Sequence, residues 1–247
     1  MSLLRIGLLV DSLSQPAWAA DIISEIHQSD FAKIVAVILN SSPAPAAQGF
    51  FARLWEKRRH LFYYAYLKFD KAWFPCSPDA FALVDISSLV CSANASIIKV
   101  TPRKKGASDY FPDDAVGEIA AANLDVALRF GFRILRGRSL LIARHGVWSY
   151  HHDDNQELRG GPPGFWEVVT RAPTTGSVLQ VLREELDNGQ ILYRSYARTD
   201  RASVRRSMNS YYWKSARFVG RALRRPHETG EPALEPAEYH PYARGTY

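Results

Sequence analysis

The sequence predicts an α/β protein: a mostly parallel sheet with helices on both faces from Leu3 to about Ala197, followed by a C-terminal helical appendage. Three observations carry this. Residues 3–10 form a continuous apolar run rather than an alternating one, the pattern of a strand covered on both faces. Strand, helix and strand patterns follow one another within residues 3–39, a βαβ opening. After Thr199 the chain changes to a basic amphipathic stretch without acidic residues from 201 to 225. The implied division is an α/β domain over residues 1–199, then a basic amphipathic helix and extended tail over 200–247.

Each element has its own signal. The run 3–10 ends at Asp11-Ser12, and Trp18, Ile22, Ile23 and Ile26 fall at helical spacing within residues 17–27. Residues 33–39 form a second buried strand, closed by Asn40 and the Pro-containing stretch after it. No G-x-G-x-x-G follows the first strand, so a dinucleotide fingerprint is missing. Residues 50–73 read as a long basic and aromatic helix, with Phe51, Trp55, Phe62, Phe69 and Trp73 on one face and Arg58 and Arg59 interrupting it. A membrane or nucleic-acid surface is one reading of that helix. The favoured one is a helix packed on the sheet with Arg53, Lys57 and Lys68 in solvent, because aromatic stripes are usually core.

Further along, residues 96–100 form a strand, Arg103 to Gly106 a basic turn, and 113–122 a helix with an acidic first turn that suits the helix dipole. Residues 124–130 read as a strand, 135–143 as a helix and 146–150 as a strand. The loop Gly160-Gly-Pro-Pro-Gly164 enters a helix over 166–170. Residues 176–183 and 190–197 are two more strands, joined through Leu186-Asp-Asn-Gly189. In the C-terminal stretch Val204, Met208, Tyr211, Tyr212, Val219 and Leu223 share one helical face, and an extended surface tail begins at Pro226.

Composition excludes several classes. With 47% hydrophobic and 23% charged residues over 247 positions, the chain is globular and long enough to bury a core without disulfides or metal. Two cysteines, Cys76 and Cys91, supply neither a disulfide framework nor a Cys-based zinc site and point to a reducing, cytoplasmic location. No apolar run reaches the ~20 residues of a membrane helix, and Asp11 breaks the only segment resembling a secretory signal. The net charge of +6 leans toward an anionic partner without identifying one.

The informative polar residues concentrate in two segments, 148–166 and 184–192. The first begins at the carboxyl end of an expected parallel strand, where open α/β sheets place ligands. Histidine with a carboxylate is the minimum kit for proton transfer near neutral pH. A metal site at His151, His152, Asp153 and Asp154 is weakened because adjacent strand residues point to opposite faces and no H-x-x-x-H spacing occurs. A hydrolase triad on Ser149 lacks the G-x-S-x-G elbow. Taken alone, His151 caps a strand end and Asp187 makes an Asx-type turn with Gly189.

Three blocks, in order, resemble the folate-dependent formyltransferases that act on glycinamide ribonucleotide, initiator methionyl-tRNA and nucleotide-linked amino sugars. Gly131-Phe-Arg-Ile-Leu135 is similar to the G-F-x-R-I-L block. Ser149-Tyr-His151 with Arg159-Gly160 and Pro162-Pro163 is similar to N-x-H-P-S-L-L-P-x-x-R-G-x-x-P. Leu186-Asp-Asn-Gly-Gln-Ile-Leu192 is similar to L-D-x-G-x-I-L, and His151 and Asp187 stand 187 − 151 = 36 positions apart, as in the family. The similarity is firm over residues 124–193, extends to Leu3, and does not reach the C-terminal helix. Ser149 replaces the family asparagine, and His152-Asp-Asp-Asn-Gln156 replaces P-S-L-L-P.

The resemblance implies a Rossmann-like formyltransferase sheet and an N-formyltransferase that uses 10-formyltetrahydrofolate to formylate a small-molecule amine or amino sugar. It implies Ser149, His151 and Asp187 as catalytic residues, and Phe132, Arg133, Ile134, Leu135 and Asp187 as the folate-binding set, with no metal. The alternatives are a hydrolase or other acyl or one-carbon enzyme on the same scaffold, or a non-catalytic binding protein. Nucleic acid is not an expected partner, no membrane span is expected, and a homodimer is compatible with the reading.

Overall fold

A computed structural model describes residues 2–43, 61–152, 162–185 and 189–234. In chain order the elements are β1 (Leu4–Val10), β2 (Ser14–Pro16), α1 (Ala17–Gln28), β3 (Ala32–Asn40), α2 (Leu61–Trp73), β4 (Leu83–Asp85) and α3 (Ser87–Ser92). Then come β5 (Ser96–Val100), β6 (Arg103–Lys105), β7 (Ser108–Tyr110), α4 (Asp113–Ala121), β8 (Val126–Arg129) and β9 (Ile134–Leu135). They are followed by β10 (Val147–His151), α5 (Phe165–Val169), β11 (Thr174–Val181), β12 (Gln190–Arg198), α6 (Val204–Ser215) and α7 (Arg217–Thr229).

The central sheet has seven strands in the order β12-β11-β10-β8-β1-β3-β5. From β10 to β5 every neighbouring pair is parallel, while β11 and β12 continue the sheet antiparallel. The two-faced hydrophobicity of β1 explains its central place. Leu4, Ile6, Leu8 and Val10 join one core with α1 residues and with Phe218, Val219 and Leu223 of α7. Leu9 joins the core on the other face with Phe111, Val116 and Ile119. The chain runs outward from β1 through β3 to β5 and then returns to β8 on the other side of β1. That reversal opens a crevice at the carboxyl ends of the strands, the usual ligand position in such sheets.

Three expectations are corrected. The expected helix over 135–143 is instead the short strand β9 and a single 3-10 turn, Gly137–Leu140. Gly137 sits at φ +61°, a conformation that interrupts a right-handed helix at its first turn. The C-terminal stretch is two helices rather than one. The Tyr150 hydroxyl donates to the carbonyl of Ser215 at 2.8 Å and also meets the Val219 N–H, so it occupies the gap of one i→i+4 bond. The second helix also continues through Pro226 to Thr229 and ends on left-handed Gly230, so the tail starts later than Pro226. Pro226 is tolerated in the last turn with its ring buried.

The third correction concerns the aromatic helix. Phe51, Trp55, Arg58, Arg59, Arg53 and Lys57 lie outside the described residues. The described part, α2, packs on α6 rather than on the sheet. Phe62, Phe69 and Trp73 are 93%, 54% and 69% exposed, whereas Asp70 is buried. The inward face is chosen by specific partners: Tyr63 meets Phe165 edge-on, and Asp70 accepts the Arg205 N–H at 2.7 Å in the first turn of α6. Phe62→Ser should therefore change unfolding free energy by no more than ~0.5 kcal/mol, the range of ordinary surface substitutions. Urea denaturation measures it, and a loss of several kcal/mol would mean that this face is covered.

The basic residues of α6 and α7 are mostly exposed, and several of them are held by partners on the neighbouring surface. Arg217 pairs with Asp21 and Glu25 of α1, and Arg206 pairs with Asp200. Arg221 donates to the Tyr193 hydroxyl, and Arg224 covers the Phe31 ring. No described helix is long and apolar enough to cross a membrane.

Candidate active site

The segment Trp148-Ser-Tyr-His-His152 at the end of β10 divides its side chains by strand alternation. Tyr150 and His152 point toward the C-terminal helices. His152 stacks on Tyr212 with ring centroids 3.7 Å apart and shares a 3.1 Å hydrogen bond with the Ser215 hydroxyl. Burial, assisted by His151, holds the His152 pKa down at about 3. His152 is therefore a neutral structural residue. Ser149 and His151 occupy the other face and line a cavity of about 150 Å³.

Sheet register builds the floor of this cavity. Ser149 stands opposite Arg129 on β8 and opposite Gln180 on β11. The row Arg129, Ser149, Gln180 thus crosses three strands with its side chains on one face. Arg129 Nη1 donates to Ser149 Oγ at 2.8 Å, and Nη2 donates to the Phe132 carbonyl at 3.2 Å. Two buried atoms of the row, Arg129 Nε and Gln180 Oε1, have no hydrogen-bond partner among the described residues. Burial pushes the Arg129 pKa down, while Asp11 and Asp109 oppose that shift.

The Gly131 to Leu135 block forms the adjacent wall. Gly131 is required by space: a Cβ there would lie 2.4 Å from the Asp11 backbone nitrogen. That closeness lets Asp11 accept the Phe132 N–H at 2.9 Å and hold the loop against the end of β1. Ile134 and Leu135 line the cavity. The Phe132 side chain does not: it is buried against Phe111 in the core beneath. Arg133 turns away to the β6–β7 hairpin, where Asp109, 1% exposed, accepts from its Nε and Nη2 at 2.9 and 2.8 Å. Its Nη1 donates to the Gly106 carbonyl, so Arg133 fastens the loop to the hairpin.

Of the three residues expected to catalyse, Ser149 and His151 share the cavity, and Asp187 lies outside the described residues. Glu185 and Gly189, on either side of 186–188, line the same cavity. Among the described residues no group of three His, Cys, Asp or Glu side chains is placed to hold a metal ion. Sequence reasoning missed Arg129 and Gln180. Arg129 had a local signal, a charged residue closing the apolar strand Val126-Ala-Leu. Gln180 had none, because only strand register brings it beside Ser149.

No family model matches the chain, and no curated protein matches it in sequence. Solved structures do match. A formyltetrahydrofolate deformylase from Pseudomonas syringae pv. tomato superposes with TM-score 0.59 at 15% identity, over 94% of this chain and 66% of its own. Glycinamide ribonucleotide transformylase 1 from Symbiobacterium toebii gives TM-score 0.57 at 14% identity, over 92% and 88%. WlaRD, a sugar 3N-formyl transferase solved with dTDP and 5-N-formyl-THF, gives TM-score 0.51 at 11% identity, over 96% and 68%. The mostly parallel seven-stranded sheet with its C-terminal helices has the formyltransferase fold.

Proposed function

We propose that the protein transfers a formyl group from 10-formyltetrahydrofolate to the amine of a small molecule or amino sugar. The observation that carries this is the shared cavity of Ser149, His151, Ile134 and Leu135 at the carboxyl edge of a formyltransferase-fold sheet. The lining suits one end of a reduced folate. Ile134, Leu135 and Leu182 offer apolar contact to a flat ring, and the unpartnered Gln180 Oε1 offers an acceptor to a ring amine.

In this reading the acceptor nitrogen attacks the formyl carbon and a C–N bond forms. The bond from that carbon to the folate nitrogen then breaks, and the folate nitrogen takes up the proton that the amine gives up. Between the two events the formyl oxygen carries negative charge, and donors fixed in a dry site stabilise it most. His151 donates to that oxygen or steers the amine, Asp187 holds the imidazole and relays the proton, and Ser149 takes the place of the family amide.

A stable 10-formyl folate analogue should bind with a micromolar dissociation constant, measured by calorimetry. No binding at millimolar analogue would remove the folate reading. A hydrolytic reading has its own support, since formyltetrahydrofolate deformylases are among the proteins of similar fold. Product analysis separates the two: formate without any N-formyl amine, across a panel of amines and amino sugars, favours hydrolysis.

A further inference from the structure

The guanidinium of Arg129 has five N–H donors. Two are used, one on Ser149 Oγ and one on the Phe132 carbonyl. Its Nε is buried and has no hydrogen-bond partner among the described residues. The two carboxylates that act on its charge hold other groups. Asp11 accepts from the Asn40 amide and the Phe132 N–H. Asp109 accepts from the backbone and side chain of Arg133. No ion pair to Arg129 occurs among the described residues, although buried cations are ordinarily paired. A partly buried cation without an ion pair among the described residues thus faces a cavity lined also by His151, Arg136 and Arg183, with Glu185 on the same wall, and this basic surround suits an anion.

We propose that Arg129, with the Ser149 hydroxyl it polarises, forms a binding site for a small carboxylate or developing oxyanion, formate being the smallest such ligand. The catalytic part of this inference rests on the formyl-transfer reading; the anion site does not. Ser149 Oγ accepts from Arg129 Nη1, so the hydroxyl proton is left to donate, at 3.3 Å to the Tyr150 carbonyl or to a ligand. A short hydroxyl backed by a cation then does what a longer neutral amide does elsewhere: it presents a donor to the oxygen where charge develops. The charge makes the neutral hydroxyl a better donor, because a hydrogen bond accepted from a cation polarises the next one in the chain.

Formate is the probe for the test. Nitrogen-15 NMR of the full chain should show the Arg129 Nε–H signal, assigned by through-bond correlation to the Arg129 backbone, moving as formate is added. Calorimetry should show formate binding weakened at least ~10-fold in Arg129→Gln and less in Arg129→Lys, the weight of one charge-assisted hydrogen bond. Thermal melts check that the variants fold, and the NMR titration of the native protein decides the matter if they do not. An Arg129 signal unmoved at saturating formate, or formate binding equal in Arg129→Gln and the native protein, overturns the proposal. Formate binding without folate binding would retain the anion site and remove the formyl-transfer reading.

Discussion

His151→Ala should lower turnover at least ~100-fold, the low end of what a positioned acid or base contributes. The substitution removes the only imidazole among the described residues that line the cavity, since His152 is turned to the other face and held neutral by burial. Binding of the folate analogue should change little, because its apolar contacts come from the 134–135 wall. Ser149 is the sharper companion probe. Ser149→Ala deletes the oxygen that accepts from Arg129 at 2.8 Å and should reduce kcat more than it raises KM, since the lost interaction forms mainly in the transition state. Ser149→Asn restores the family side chain and should retain formyl transfer where the longer amide fits beside Arg129. Steady-state kinetics on a formyl-accepting amine measure all three. Full activity in Ser149→Ala would remove its donor role, and full activity in His151→Ala would remove the acid–base assignment altogether.

Acidification should destabilise the protein steeply through His152. An unfolded histidine titrates near 6.5, and the folded one is pushed down to about 3 by burial. Above pH 6.5 both states are neutral and the histidine has no pH-linked effect. Between 6.5 and about 3 the unfolded chain binds a proton that the folded chain refuses, so stability is lost as pH falls. The slope is ~1.4 kcal/mol per pH unit, and the whole effect approaches ~5 kcal/mol, a large part of an ordinary domain's stability. Urea denaturation at pH 7, 6, 5 and 4 reads the slope against that of His152→Gln. The glutamine keeps a polar partner for Ser215 but cannot titrate. Parallel pH profiles for the two proteins would show that His152 is protonated in the fold.

The same histidine illustrates how much of the site was legible. Strand alternation alone separates His151 from His152 and sends only one of them to the cavity. It does not reveal that the other ties the end of β10 to the C-terminal helices through Ser215 and Tyr212. The basic stretch 201–225 reads as a helical appendage with Val219 and Leu223 on its apolar face, and the structure seats those two with Phe218 in one core with β1. Three of its arginines, Arg206, Arg217 and Arg221, meet Asp200, Asp21, Glu25 and Tyr193. Arg133 shows the same limit within the motif, because its role is set by Asp109, 24 positions away in the chain.

What the sequence determined by itself is what short-range patterning can encode. The apolar runs of β1 and β3 specify strands buried on both faces, and the blocks around Gly131 and His151 mark strand ends that line one cavity. What only the tertiary structure decided is adjacency across strands. Arg129, Ser149 and Gln180 form one row because β8 pairs parallel with β10 and β10 antiparallel with β11, each in a single register. The physical reason is that hydrophobic periodicity is a property of one segment, whereas register is a compromise among all the segments packed on a sheet. A charged residue at the end of a buried strand therefore looks like a boundary in the sequence, and becomes a cation beside a hydroxyl on a cavity floor only once its neighbours are in place.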